Sequence, residues 1–379
     1  MPATQQKQKK RNYIPLYILT IFLLVFTGFI YLLIRPSAES TAMDELQNAA
    51  NVEDVHALWD KNKAGLGDDG DYLKAVRDKL SSFNLSESQT AACLNWLPAP
   101  PQSLNVIVVP DLSGRIDDSI NNPGQITEDT ALMNAVWQAF EAACRLKMNA
   151  DDRLLVDVTG GNQAQGQFRS IADNLIFDLS DFKDKSDRLY FESVGNRYQT
   201  NVARLYDMAR QNPQGADYWS YFNHDLKRNL KVSTLYTRYR NILIILTDGY
   251  LEAQTRQATG IAFYTGTYQQ RSAVFDRLKA GVSVADAISS ITPIMDCSDH
   301  FPNLEVAVFE ANARHAVSPQ EPYDPGTSRD LDILKKLWVD WFIKLGVKNA
   351  SGDCFNERVD AVELTKRKIF NFIKGLPNN

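Results

Sequence analysis

The chain has 379 residues, of which 44% are hydrophobic, 23% charged and 10% aromatic, so it can bury a large core and has a globular composition. It contains 41 basic and 46 acidic residues, but five of the basic and none of the acidic ones lie in residues 1–35. The remaining 36 basic and 46 acidic residues disfavour nucleic acid as a partner, because phosphate backbones are bound by clustered Lys and Arg.

Residues 13–34 form an uncharged, apolar segment near the start of the chain. As a helix that rises about 1.5 Å per residue, this segment would cross a hydrocarbon core of roughly 30 Å. The alternative is a cleaved signal peptide, but the apolar region of a signal peptide has only roughly 7–15 residues. We therefore predict that 13–34 is a transmembrane helix that remains in the protein.

The charges on either side of this segment predict its orientation. Four basic residues lie within 1–12, whereas Arg35 is the one basic residue that follows closely before Asp44 and Glu45. The positive-inside rule places 1–12 in the cytoplasm as a basic tail and the rest of the chain outside it, in the periplasm if the cell is bacterial. We expect a single-pass membrane protein with a large extracytoplasmic part.

Residues 36–102 are predicted to form a helical stalk or cap. Apolar residues recur at helical spacing in 53–62 and again in 72–83. Ser86 and Gln89 have the spacing of a capping box that would begin a further helix. A proline-rich linker then ends the helical pattern.

Short apolar segments alternate with amphipathic helices from residue 103 to residue 375. The strand-like segments are 104–110, 153–159, 174–180, 241–247 and 304–310, and the helical ones are 131–148, 200–210, 218–230, 331–345 and 359–373. Apolar strands separated by helices predict an α/β fold with a doubly wound, mostly parallel sheet. Ligands of such folds bind beyond the carboxyl ends of the strands.

Acidic and hydroxyl side chains follow two of these strands. The first strand leads into DLSGR (111–115) and the fourth into TDG (247–249). These segments resemble the first and third motifs of von Willebrand factor A (VWA) domains. In that family a D-x-S-x-S turn, a Thr from a middle loop and the Asp of a T-D-G-like strand end form a metal-ion-dependent adhesion site. The resemblance covers about 103–375 and includes the order and spacing of the motifs.

The resemblance implies a Rossmann-like domain that binds another protein through Mg²⁺ or Mn²⁺. The implied ligands are Asp111, Ser113 and Asp248, with Thr200 as the match to the middle-loop Thr because we expect it to open a helix. Carboxylate and hydroxyl oxygens are the ligands that Mg²⁺ prefers. However, Arg115 replaces the second Ser of the motif. The site could therefore still bind a cation, or Arg115 could pair with the two aspartates so that no metal is needed. A further alternative is that Arg115 points outward towards an acidic partner.

An acidic strand end and the cysteines are two further features of the predicted α/β domain. Asp157 follows the second strand and is a candidate for the binding rim, although a polar strand end is the commoner explanation. Cys297 and Cys354 lie in polar, loop-like segments that would face an oxidising compartment, so we expect a disulfide between them. Cys144 lies on an apolar helical face and is expected in the core.

Three functions are compatible with these features. The leading hypothesis is a membrane-anchored extracytoplasmic VWA-like module that binds a protein partner and is not an enzyme. The second is a metal-dependent hydrolase or phosphatase in which Asp111 is the nucleophile and Asp248 a metal ligand. This enzyme would lack the second Asp that is usual in the first motif, and no general base stands out. The third is a structural subunit of an envelope complex.

Overall fold

The structure is a computed structural model that describes most of the chain beyond residue 37. The described residues are 38–118, 122–145, 147, 151–159, 166–181, 191–213, 216–251, 268–289, 297–313, 316–318, 321–322, 329–359 and 361–377. The predicted tail 1–12 and membrane segment 13–34 lie outside them. None of the helices within the described ranges has the length and apolar character needed to span a membrane. The chain divides into two compact units, Met1–Pro98 and Ala99–Asn379.

The described part of the first unit is helical. Its helices are α1 (Ala38–Gln47), α2 (Val52–Leu66), α3 (Gly70–Ser81) and α4 (Glu87–Leu94). The predicted capping box at the start of α4 is confirmed, because Ser86 and Gln89 each bond to the backbone of the other. Trp59 of α2 stacks on Tyr72 of α3 with 6.2 Å between ring centroids, and both side chains are buried. Apolar packing between these helices therefore stabilises the unit.

A six-stranded sheet forms the centre of the second unit. Its strands are β1 (Gln102–Pro110), β2 (Arg153–Val156), β3 (Ile176–Asp178), β4 (Arg238–Leu246), β5 (Leu304–Ala311) and β8 (Phe355–Glu357). A separate antiparallel pair consists of β6 (Ala316–Ser318) and β7 (Glu321–Pro322). The strand order is β3-β2-β1-β4-β5-β8, and every neighbouring pair is parallel except β2 with β3. The predicted mostly parallel sheet is confirmed.

Helices cover both faces of this sheet. They are α5 (Gln125–Cys144), α6 (Gln167–Asp173), α7 (Phe191–Gln211), α8 (Tyr218–Ser220, continued by a π-helical turn Tyr221–Asp225 and by Leu226–Asn229), α9 (Tyr268–Lys279), α10 (Val284–Ser289), α11 (Arg329–Lys344) and α12 (Val362–Lys374). Val106 and Val108 of β1 pack with α5, α7 and α12, whereas Ile107 and Val109 pack with α8 and α11. Successive strand residues point to opposite faces, so both layers bury apolar side chains.

The last helix, predicted from the pattern of 359–373, packs on the sheet of its own unit. Ile369 and Ile373 belong to the same apolar cluster as the even-numbered residues of β1. Arg240 of β4 donates to the carbonyl of Ile373 at 2.6 Å and to that of Phe372 at 2.8 Å. The guanidinium also bonds to Glu305 on the neighbouring strand at 2.9 Å. These contacts bind the carboxyl end of α12 near the start of β4, because a cation stabilises free carbonyls at a helix end.

The four cysteines are all free thiols. The structure therefore does not form the predicted bond between Cys297 and Cys354. Cys354 is buried at the turn that begins β8, and Cys297 lies partly buried with its Sγ 3.6 Å from the carbonyl oxygen of Phe222. Both thiols pack against the apolar cluster between the sheet and α11, which the polar sequences around them concealed. Cys144 is buried in the core, as predicted.

Candidate functional site

The carboxyl ends of β1 and β4 meet in the middle of the sheet, where the direction of the strand order changes. Pro110 pairs with Leu246, and the next residue, Asp111, donates its backbone N–H to the carbonyl of Leu246 at 2.8 Å. Asp248 follows two residues after Leu246, at the same edge. A switch point of this kind is where doubly wound sheets bind ligands. The two motif aspartates thus lie at the edge where a ligand is expected.

Asp111 is held by hydrogen bonds from both motif segments. Its Oδ1 accepts the backbone N–H of Ser113 at 2.9 Å, which closes a tight turn after β1. Its Oδ2 accepts the hydroxyl of Thr247 at 2.8 Å, which joins this turn to the end of β4. Asp111 is only 3% exposed. Both carboxylate oxygens are therefore used inside the protein.

Arg115 lies in the short helical turn Gly114–Asp117 and points into the protein. Its side chain is 0% exposed, with Nε 3.5 Å from Oδ2 of Asp111 and Nη2 2.7 Å from Oδ2 of Asp129. Burial alone would lower the pKa of Arg115, but the charges of Asp129, Asp111 and Asp248 raise it above its ordinary value. The guanidinium stays charged, and the hypothesis that it points outward is wrong.

Asp129 is the second main partner of this guanidinium and comes from α5. It is fully buried and also accepts hydrogen bonds from Gln125 at 2.8 Å and from the Tyr206 hydroxyl at 3.1 Å. Three donors thus satisfy a carboxylate that burial would otherwise make costly. Asp129 could have been identified from the sequence as an acidic residue on the apolar face of a helix, because it lies one turn before the buried Leu132 and Met133.

Asp248 connects the end of β4 with the end of β5. Its Oδ1 accepts the backbone N–H of Tyr250 at 3.3 Å, and its backbone carbonyl accepts the N–H of Asn312 at 3.0 Å. Gly249 between them has φ +94°, a conformation that disfavours residues with a side chain. The TDG segment therefore forms a hydrogen-bonded turn with its aspartate buried.

Glu310, near the carboxyl end of β5, lies at the same edge of the sheet but belongs to neither motif, so the sequence did not identify it. Its backbone has φ 70°, which is rare for a residue other than glycine, and its side chain is 2% exposed. Burial, followed by the charge of Asp129, raises the pKa of Glu310 to about 7. Arg358 lies 3.8 Å from its Oε2 and 2.8 Å from Glu128. The sequence feature that could have identified Glu310 is an acidic residue at the carboxyl end of an apolar strand.

Two predicted site residues lie outside this cluster. Thr200 was expected to open a helix, but it lies in the interior of α7, is exposed, and donates its hydroxyl to the carbonyl of Asn196 at 2.9 Å. That prediction was wrong because the apolar face of α7 begins well before Thr200. Asp157 is buried rather than on a rim, and its Oδ1 accepts from Arg169 and from the backbone N–H of Val158, each at 3.0 Å.

As arranged, these side chains do not fit a divalent cation. Both oxygens of Asp111 have partners, Ser113 Oγ accepts the backbone N–H of Arg115 at 3.4 Å, and Thr200 is exposed on its own helix. Within the described part of the chain, no three His, Cys, Asp or Glu side chains are grouped to hold a metal. Mg²⁺ requires several oxygens around one open centre, whereas here a guanidinium lies beside the carboxylates.

The comparisons with known proteins give no family. No protein-family model and no curated protein matches the chain. One similar solved structure is an aerotolerance-related membrane protein from Bacteroides fragilis, with 12% identity, a TM-score of 0.29, and coverage of 73% of this chain and 100% of that one. Another is the pilus adhesin SpaC from Lactobacillus rhamnosus, with 11% identity, a TM-score of 0.34, and coverage of 73% and 30%. These TM-scores are too low to carry an argument about fold or function.

Proposed function

We propose that this protein is a membrane-anchored VWA-like module that binds another protein at the carboxyl edge of its sheet, beside β1 and β4. The observation that carries the proposal is the bond between Thr247 and Asp111, 2.8 Å long, because it joins the two motif segments at the switch point. The VWA-like assignment and the binding function go together, since the same two segments support both.

The surface offered to a partner is the turn after β1. Gly114 and Asp117 are exposed, and Ser113 and Asp118 are half-buried. Below them, Asp111 and Arg115 hold the turn by buried hydrogen bonds and ion pairs. A rigid loop on a rigid scaffold binds at a low cost in conformational entropy. An exposed turn supported in this way suits recognition of a folded partner.

The burial of Asp111 supports binding over catalysis. A nucleophilic carboxylate must reach its substrate, but Asp111 is 3% exposed and both of its oxygens accept hydrogen bonds. His224 lies in the π-helical turn of α8 against the ring of Trp219, and His300 lies beside Gly346. The phosphatase hypothesis therefore has no accessible nucleophile in its favour.

Position-specific cross-linking tests the binding function. A photoreactive amino acid is placed at Gly114 or at Asp117 in the full-length chain in its native membranes. The matched control is Leu376, which is 50% exposed and follows the end of α12, near the start of β4. We expect one discrete protein cross-linked from the turn and not from Leu376. Identical products from all three positions, or none from the turn, would overturn the proposal.

The membrane anchor is tested separately. If 13–34 spans the bilayer, the full-length chain stays in the membrane fraction at alkaline pH, whereas a chain that begins at residue 36 is released. The predicted orientation leaves the second unit open to protease added from outside the cytoplasm. Release of the full-length chain at alkaline pH would contradict the anchor and leave the binding function untouched.

A further inference from the structure

We propose that Arg115 is a built-in cation that takes the place of a divalent metal, so that the edge formed by the two motif segments works without Mg²⁺ or Mn²⁺. The consequence for partner binding rests on the proposed function. The substitution of one cation by another is a property of the folded chain and stands by itself.

The position of the guanidinium is the first argument. It lies between Asp111, 3.5 Å from Nε, and Asp129, 2.7 Å from Nη2, and Nη2 also donates to the carbonyl of Leu246 at 3.0 Å. That carbonyl also accepts the backbone N–H of Asp111, so Arg115 binds where the ends of β1 and β4 join. The guanidinium therefore places a positive charge where the two motif segments join.

The charge balance is the second argument. Asp111, Asp129 and Asp248 are each at most 3% exposed, and burying three carboxylates in the charged form is costly unless a positive charge lies nearby. Arg115 supplies a positive charge that lies close to both Asp111 and Asp129, and its side chain is itself fully buried. A divalent cation would therefore have to enter beside a fixed like charge, which opposes its binding.

The geometry of the turn is the third argument. Ser113 uses its backbone N–H on Asp111 and its hydroxyl on the backbone N–H of Arg115. The turn is thus closed by its own hydrogen bonds before any ion is added. The guanidinium lies under the turn, so the substitution of Ser by Arg in the motif supplies both the charge and the support for the partner-facing loop.

Thermal unfolding and Mn²⁺ binding of the full-length chain in detergent test this inference. For the wild type we expect the same melting temperature in EDTA and in Mg²⁺, and no bound Mn²⁺ by electron paramagnetic resonance. Arg115→Ser removes the buried cation and leaves the carboxylates uncompensated. We expect this variant to melt lower in EDTA, to recover in Mg²⁺, and to bind Mn²⁺ in a manner that a second change, Asp111→Asn, abolishes.

Arg115→Lys is the matched control, because it keeps the positive charge and loses the planar fork of donors. We expect it to melt lower than the wild type but to gain no Mn²⁺ binding. If Arg115→Ser fails to fold, Mn²⁺ binding and melting of the wild type and of Arg115→Lys still test the inference. Mn²⁺ binding by the wild type that Asp111→Asn abolishes would overturn the inference, as would a folded Arg115→Ser chain that is insensitive to Mg²⁺.

These outcomes are independent of the binding function, because none of them needs a partner. If position 117 cross-links to a partner, we expect the same cross-linked product when EDTA is present. Cross-linking that disappears in EDTA would refute the built-in cation and leave the protein-binding function standing. Failure to cross-link at all would refute the binding function and leave the Mn²⁺ result standing.

Discussion

Glu310 makes the stability of the second unit depend on pH near neutrality. Its carboxyl is buried, and Oε2 has no hydrogen bond among the described residues. Burial raises its pKa from 4.5 to about 7 in the folded protein. The folded state therefore holds a proton more tightly than the unfolded chain. Its contribution to stability is complete below about pH 4.5 and is lost as the pH rises towards about 7.

The size of this effect follows from the shift in pKa. A rise from 4.5 to about 7 corresponds to about 3 kcal/mol of unfolding free energy lost between acid and mildly alkaline pH. Glu310→Gln keeps the shape of the side chain and cannot ionise. We expect the variant to lose less stability than the wild type over this range and to be the more stable protein at about pH 8.

Urea unfolding of the full-length chain at several pH values measures this difference. The exposed Glu357→Gln, at the end of the neighbouring strand β8, is the matched control and is expected to follow the wild-type curve. Curves for wild type and Glu310→Gln that run parallel across the range would refute the reasoning. Such a result would mean that Arg358, 3.8 Å from Oε2, keeps the carboxylate charged at all these pH values.

Three other substitutions have definite expected outcomes. Gly195→Ala would place a Cβ 2.9 Å from Nε1 of Trp137, so we expect a loss of about 1–3 kcal/mol by urea unfolding, and an unchanged midpoint would contradict this contact. Gly249→Ala forces a side chain into φ +94°, at an expected cost of about 1–2 kcal/mol in the same assay; a neutral result would show that the turn relaxes. Thr200→Ala removes only a bond to Asn196 on an exposed helix face, so stability should change by less than about 0.5 kcal/mol with cross-linking unaltered. A loss of cross-linking would mean that Thr200 contributes to the partner-binding site.

The central strands were predictable because their apolar character is local. The segments 104–110, 241–247 and 304–310 fall within a few residues of β1, β4 and β5, since strands buried on both faces are apolar throughout. The edge strand β8 was missed because its three residues, FNE, carry no apolar pattern. Short edge strands gain their structure from the neighbouring strand, which no local pattern records.

The candidate site was predictable in part for the same reason. Asp111 and Asp248 follow apolar strands directly, so their position at one edge of the sheet follows from the strand pattern. The direction of Arg115 was not predictable, because its burial depends on Asp129, which lies on a helix elsewhere in the unit. Thr200 was misplaced because the polar residues before it hid the first half of α7. Side-chain partners across elements are tertiary features, and local spacing does not record them.

A double-mutant cycle between Arg115 and Asp111 tests the account most directly. The unfolding free energies of the wild type, Arg115→Met, Asp111→Asn and the double variant give the coupling between the two side chains. If the guanidinium compensates the motif aspartate, we expect a coupling of about 1–3 kcal/mol, with the double variant less destabilised than the single changes together predict. A coupling indistinguishable from zero would mean that Arg115 does not serve as the cation of this edge.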